Sequence, residues 1–332
     1  MEKIKIAVVG FGFMGITHTM NILRNPGLEL VAIVDKNPEN IRKNINEKVG
    51  NFSTGGISEK EISNIKIYAS LEACIENEKL DACVIAVHTD FHYKLTKLAF
   101  DAGINVLLEK PFCLNISEGD ELIELAASKG LLLMIAHVVR FMPAYQKLKS
   151  WIDSGEFGNL NFLSMTRFSG VPAWGQWKEK QQDFGSSGGA LFDLVIHDID
   201  FVQWSVGIPD SIESTVLPGK LSRHDYLNAR WEYNSGINVK IEGGNIFHTA
   251  FPFQAGFSAG FEKASIVYSS SNPENIIVST DTEIIKIPAG DAMEGYSGEL
   301  DYFVDCLKNK TKPEKCMPES ALQSIKLGYK HL

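Results

Sequence analysis

At 332 residues, 44% of them hydrophobic and 22% charged, the chain holds enough apolar material for two globular domains. A formal net charge of −9 without any basic run argues against a nucleic-acid footprint, which needs clustered Lys and Arg. Five scattered cysteines without CxxC spacing fit a reducing compartment, and no apolar stretch nears the ~20 residues of a membrane span.

The opening MEKIKIAVVG runs straight into an apolar strand, which leaves no room for a leader, so the cytoplasm is the expected location. Apolar runs at Lys5–Val9, Leu28–Val34, Lys66–Tyr68, Ala82–Val87, Asn105–Leu108 and Leu131–Ala136 predict strands. Between them, helical patterns are predicted at Met14–Arg24, Pro38–Val49, Leu71–Glu76, Phe91–Ala102 and Ser117–Lys129. Asn25-Pro26-Gly27 and Gly103 supply stop signals, and the polar stretch Asn51–Asn64 reads as a long loop. Alternating strand and helix predicts an α/β domain over residues 1–136 with a doubly wound parallel sheet.

Beyond residue 137 the rhythm changes. A helix at Pro143–Asp153 and a strand at Leu160–Phe168 precede a tryptophan-bearing loop and a long helix from Gly189 to about Val206. Strand-like runs then follow one another directly: Ser211–Leu217, Tyr226–Tyr233, Asn238–Gly243, Gly256–Glu262, Ala264–Tyr268, Ile276–Ser279 and Thr282–Ile287. Helices at Gly298–Lys308 and Glu319–Tyr329 close the chain. Strands joined without crossover helices are antiparallel. Residues 137–332 therefore read as an α+β domain with an open, mainly antiparallel sheet and helices on one face.

Residues 10–15 read GFGFMG, after an apolar strand and at the start of a helix, which is the context a dinucleotide fingerprint needs. Gly10 allows the tight turn, Gly12 lets the backbone approach a pyrophosphate, and Gly15 permits close packing of helix on strand. Phe13 and Met14 lie between them, where the helix N-terminus offers amide donors. Asp35, twenty residues after Gly15, can accept from both adenosine ribose hydroxyls and repels a 2′-phosphate. NAD is thus expected over NADP, with Lys36 keeping NADP open; a plain loop-capping role is the alternative for Asp35.

Glu109 and Lys110 fall at the carboxyl end of the fifth strand, where open α/β sheets bind ligands. A lysine there can steady a developing alkoxide as hydride leaves, although Lys-Pro after a strand is by itself also an ordinary turn. On the long helix, Asp193, His197, Asp200 and Trp204 share one stripe amid apolar neighbours, while Asp198 points the other way. A carboxylate one turn before a histidine orients the ring and suits a general base; a core histidine satisfied by Asp193 is the bland alternative. Further metal ligands are lacking, so no metal is expected. His88 and His92 sit at cofactor level, where they either touch the dinucleotide or simply cap the helix; His137 lies near the domain junction, and His18 reads as packing. Trp174 and Trp177 are expected to wall the nicotinamide or the substrate, or else to serve as core.

GFGFMG, the Glu109-Lys110-Pro111 triplet and GGALFDLVIHDID at 188–200 together resemble the glucose–fructose oxidoreductase / inositol dehydrogenase / rhizopine-catabolism (Gfo/Idh/MocA) family, along essentially the whole chain. The resemblance implies a Rossmann domain, a second domain whose open sheet builds homodimers or homotetramers, and hydride transfer between NAD(P) and a hydroxyl carbon of a sugar or polyol. It implies Lys110, Asp193 and His197 as the catalytic trio, with Lys110 and Asp193 binding the reacting hydroxyls and His197 as acid/base. It places Arg140, in a matching junction motif, and Tyr296 near substrate, with a structural role as the alternative for Arg140, and Thr89, Glu109 and Trp177 near the cofactor. Two departures stand out: His88-Thr89-Asp90 replaces a common T-P-N, and Trp177-Lys178 a common W-R.

The leading expectation is an NAD-dependent dehydrogenase of a sugar, cyclitol or sugar derivative. The alternatives are an enzyme that retains NAD for a transient redox step, in epimerisation or glycosidic elimination, and a cofactor-sensing protein without chemistry.

Overall fold

The computed structural model describes residues 3–39, 41, 45, 57–172 and 187–332. The chain forms two compact units, Met1–His137 with Tyr296–Leu322, and Val138–Gly295 with Gln323–Leu332.

The first unit runs β1 (Ile4–Val9), α1 (Phe13–Arg24), β2 (Leu28–Val34), α2 (Glu59–Ile62), β3 (Lys66–Tyr68), α3 (Leu71–Asn77), β4 (Ala82–Ile85), α4 (His92–Asp101), β5 (Asn105–Glu109), α5 (Ile116–Lys129) and β6 (Leu133–Ala136). Its strands form one parallel sheet in the order β3-β2-β1-β4-β5-β6. The inner strands are continuous apolar runs because helices cover both faces: every residue of β4 and of β6 is buried. The strand order reverses between β1 and β4, which opens a crevice at their carboxyl ends. Of the expected helix Pro38–Val49, only residues 38, 39, 41 and 45 are described.

The second unit contains α6 (Pro143–Ser154), β7 (Leu160–Gly170), a π-helical turn at Leu191–Val195 that leads into α7 (Ile196–Ser205), and then β8 (Ser211–Leu217), β9 (Tyr226–Glu232), β10 (Asn238–Phe247), β11 (Gln254–Phe261), β12 (Ser265–Ser269), β13 (Asn272–Ser279) and β14 (Ile284–Pro288). The sheet order is β14-β13-β12-β11-β7-β10-β9-β8. All neighbours are antiparallel except β7 and β10, since the chain returns to the middle of the sheet after the helix. Helices cover one face: Tyr145 of α6 meets Phe201 of α7, Phe257 of β11 and Tyr268 of β12 edge-on, with ring centroids 5.2, 5.4 and 6.0 Å away. The other face keeps Phe162 and Val267 exposed.

The sequence reading divides the chain once, at 136/137. In the structure the segment after β14 returns to the first unit, through α8 (Glu294–Asn309), before α9 (Pro318–Tyr329) crosses back. The return is held by Asn25 Nδ2, which donates to Asp301 Oδ1 over 2.6 Å, and by burial of Leu300, Phe303 and Val304.

Candidate active site

In the first unit, the glycine turn after β1 is shaped by close approach. Gly10 has φ +91°, and a Cβ there would lie 2.6 Å from the Ala86 carbonyl oxygen. At Gly15 a Cβ would fall 1.9 Å from the Gly10 carbonyl oxygen, so only glycine lets α1 sit this close to its turn. Gly12 differs: nothing lies within 4 Å of its absent Cβ, so the backbone is open to a ligand. α1 has no side-chain cap and no acidic residue in its first turn, and Phe13 and Met14, its half-buried first residues, bring their amides to this opening. A helix N-terminus beside an open glycine fits a pyrophosphate.

Asp35 closes the second half of the cofactor site. Its Oδ2 accepts the Phe11 N–H (3.0 Å) and its Oδ1 the Asn37 N–H (2.9 Å). Each oxygen keeps lone-pair capacity for a ribose hydroxyl, while Lys36 beside it is exposed. A carboxylate with this role fits an unphosphorylated ribose.

Lys110 follows β5 and is half-buried, ahead of a cis Lys110–Pro111 peptide. The residues on both sides of it are tied down. Glu109 is buried; its Oε1 lies 2.8 Å from Nε2 of His18, and its Oε2 accepts the N–H of Lys110 (3.1 Å). Glu299 of α8 is fully buried nearby, and burial, reinforced by the Glu109 charge, raises its carboxyl well above the usual range. His18, expected as packing, is therefore the buried partner of Glu109.

His92 departs from expectation. It is 1% exposed, with Nδ1 3.0 Å from the Pro111 carbonyl oxygen and 3.3 Å from that of Phe112, and with Nε2 3.2 Å from the Val87 carbonyl oxygen. Both ring nitrogens face backbone, so the ring is turned away from any cofactor. His88 is exposed and Thr89 half-buried at the turn that follows β4, which keeps both available at the crevice.

In the second unit, the ten residues 191–200 show surface at only two positions: Asp193 and His197 are half-buried and every other residue is buried. The expected stripe also included Asp200 and Trp204, and both of these have partners within this unit. Asp200 is fully buried: its carboxylate accepts Nε and Nη2 of Arg140 (2.7 and 2.6 Å) and the hydroxyl of Ser324 (2.8 Å). Trp204 stacks beside two cations, Arg140 at 5.5 Å and Lys149 at 5.1 Å from its ring centroid. Asp198, on the other side, accepts Nε and Nη2 of Arg167, both at 2.9 Å.

Arg140, expected near substrate, is 0% exposed and acts as a strut between its own segment and α7. Tyr296 lies inside the first turn of α8 rather than before it, and is buried. His137 is also buried. Trp174 and Trp177 lie outside the described residues. Among the described residues, no group of three or more His, Cys, Asp and Glu side chains is placed to hold a metal, and no helix is long and apolar enough to cross a membrane.

A profile of an oxidoreductase family with an NAD-binding Rossmann fold matches residues 4–137, and one of a GFO/IDH/MocA C-terminal domain matches residues 145–266. The chain is 24% identical to scyllo-inositol 2-dehydrogenase (NAD(+)) of Bacillus subtilis, over 94% of this chain and 88% of that protein. It is also 24% identical to 2,7-anhydro-N-acetylneuraminate hydratase of Mediterraneibacter gnavus, over 75% of this chain and 63% of the other. Among solved structures, UDP-N-acetylglucosamine 3-dehydrogenase of Acidithiobacillus ferrooxidans superposes with a TM-score of 0.80 at 18% identity, covering 99% of this chain and 97% of that one. An Agrobacterium radiobacter oxidoreductase in complex with NAD+, L-tartaric acid and magnesium superposes with a TM-score of 0.79 at 16% identity, covering 99% and 96%.

Proposed function

The chain belongs to the Gfo/Idh/MocA oxidoreductase family and is an NAD(P)-dependent oxidoreductase, and from that premise we propose that it oxidises a secondary hydroxyl of a cyclitol, sugar or sugar derivative. The observation that carries the reading is the pair of accessible polar side chains, Asp193 and His197, left on an otherwise buried helical run. A carboxylate and an imidazole left accessible on an otherwise apolar, buried run suit a site that meets a polar ligand.

Bound NAD supplies the hydride acceptor. His197 takes the hydroxyl proton as general base. Asp193 holds the substrate hydroxyls and favours the protonated imidazole. Lys110 donates a hydrogen bond to the reacting oxygen and stabilises its growing negative charge. Gly12 and the amides of Phe13 and Met14 hold the pyrophosphate, Asp35 the adenosine ribose, and His88 and Thr89 border the crevice. Asp35 favours NAD over NADP.

The exposed Phe162 and Val267 on the uncovered face of the second sheet favour a homo-oligomer built there. Five free, buried cysteines fit a reducing cytoplasm. The test is a panel of inositols, sugars and nucleotide sugars with NAD and with NADP, followed by nicotinamide absorbance. Reduction with a polyol, lost in Lys110→Ala and His197→Ala while NAD still binds, supports the reading. Reduction that survives both changes sinks the assignment of these residues.

A second reading rests on the hydratase among the relatives, since hydration involves no net oxidation. In that case substrate is consumed without any absorbance change, and the purified protein carries NAD through gel filtration.

A further inference from the structure

We propose that His92 is a positioning residue for Lys110, gripping from behind the backbone that carries the lysine. The inference rests on the reading of Lys110 as the residue that stabilises the reacting oxygen.

The geometry is confined to the first unit. His92 opens α4 and is 1% exposed. Its Nδ1 meets the carbonyl of Pro111, the residue after Lys110, at 3.0 Å, with the Phe112 carbonyl at 3.3 Å. Its Nε2 lies 3.2 Å from the carbonyl of Val87, just past the end of β4. A neutral imidazole has one N–H, and we assign it to Nδ1, which makes the shortest of the three contacts, 3.0 Å to the Pro111 carbonyl. Burial lowers the pKa of this ring, which keeps it neutral. Nδ1–H therefore donates to the Pro111 carbonyl, while the ring body fills the gap between the exits of β4 and β5.

That placement matters because β5 ends at Glu109, so Lys110 and Pro111 lie beyond the strand. The amino side of Lys110 is already restrained by Glu109, whose Oε2 accepts the lysine N–H while Oε1 meets His18. The carboxyl side has the His92 contact at Pro111. Two buried imidazoles thus bracket the lysine through its neighbours, and neither needs to touch substrate or cofactor. A misplacement of about 1 Å in such a group can cost roughly a hundredfold in rate.

The experiment is a double-mutant cycle between His92 and Lys110, with NAD and scyllo-inositol as the probes, supported by hydrogen exchange across residues 105–116. His92→Leu is expected to lower kcat by about ten- to a hundredfold while the Kd for NAD, read by calorimetry, moves less than about threefold. His92→Asn, whose Nδ2 takes the place of the ring Nδ1 and can still donate to the Pro111 carbonyl, recovers most of the rate. In a Lys110→Ala background, His92→Leu should change the residual rate no further, because its effect passes through the lysine.

Hydrogen exchange, which needs no substrate, should quicken at 110–113 and stay unchanged at 10–15. Additive losses in the two backgrounds, or unchanged exchange at 110–113 in a folded His92 variant, overturn the proposal. Full activity in Lys110→Ala alone removes the reading beneath it, a different failure from a dead Lys110→Ala beside an unaffected His92→Leu. If His92→Leu does not fold, His92→Gln, whose amide reaches the Nε2 position and leaves the Pro111 carbonyl without its donor, carries the same cycle and the same exchange measurement.

Discussion

Acid should loosen the second unit through a single histidine near its last helix. Trp231 of β9 is fully buried, and its indole N–H donates to Nε2 of His331 over 2.8 Å; the two rings stack with centroids 5.7 Å apart. Ser214 of β8 donates to the His331 carbonyl (3.0 Å), so this residue anchors the chain after α9 to the sheet edge. As an acceptor at Nε2, the ring must be neutral. Burial depresses its pKa from 6.5 to about 4, against the opposing carbonyls of Leu327 and Gly328. The folded value lies below the unfolded one, so between these pH values the unfolded chain binds more protons. The contribution is therefore complete above about pH 6.5 and drains away as pH falls toward about 4.

At about 1.4 kcal/mol per pH unit, the full effect is on the order of 3 kcal/mol. The assay compares wild type with His331→Gln, whose amide oxygen can accept from Trp231 but does not titrate. Guanidinium unfolding followed by tryptophan fluorescence, near neutral pH and near pH 4, cancels the carboxylates common to both proteins. Wild type should lose about 3 kcal/mol more than the variant over that interval. Equal losses would refute the argument, since the histidine would then titrate alike in both states.

Gly15→Ala forces a Cβ to 1.9 Å from the Gly10 carbonyl oxygen, so α1 must back away from its turn. A loss of about 2 kcal/mol or more in stability and at least tenfold in NAD affinity is expected, by thermal melting and calorimetry. Asp35→Ser removes the charge that repels a 2′-phosphate and should move the NADP/NAD ratio of kcat/KM upward by about tenfold or more. An unmoved ratio removes Asp35 from cofactor choice. Asp200→Ala takes the carboxylate from the buried Arg140 guanidinium and should cost about 3–5 kcal/mol in chemical denaturation, whereas Arg140→Met with Asp200→Leu recovers much of it.

Local pattern determined a large part of this molecule. Apolar runs spaced by helices specify a parallel sheet because a strand buried on both faces has no polar positions, and β4 and β6 are buried throughout. The glycine turn was legible because Gly10 and Gly15 answer short-range sterics along the chain. Asp193 and His197 stood out because polar side chains on an apolar helix carry their cost in the sequence itself.

What the sequence left open depends on partners far along the chain. Arg140 with Asp200 spans 60 residues, Arg167 with Asp198 31, and His18 with Glu109 91. No local rule distinguishes a buried strut from a ligand-binding cation, so Arg140 read as either a substrate residue or a structural one, and burial against Asp200 favours the structural role. His92 read as a cofactor contact for the same reason: it follows β4 in the chain, but the turn after β5 closes over it and takes its hydrogen bond. The π-helical turn at Leu191–Val195 was not legible either, because only packing decides such an insertion. Periodicity is written in neighbouring residues, whereas the choice of which charge meets which is made by the tertiary fold that desolvates them.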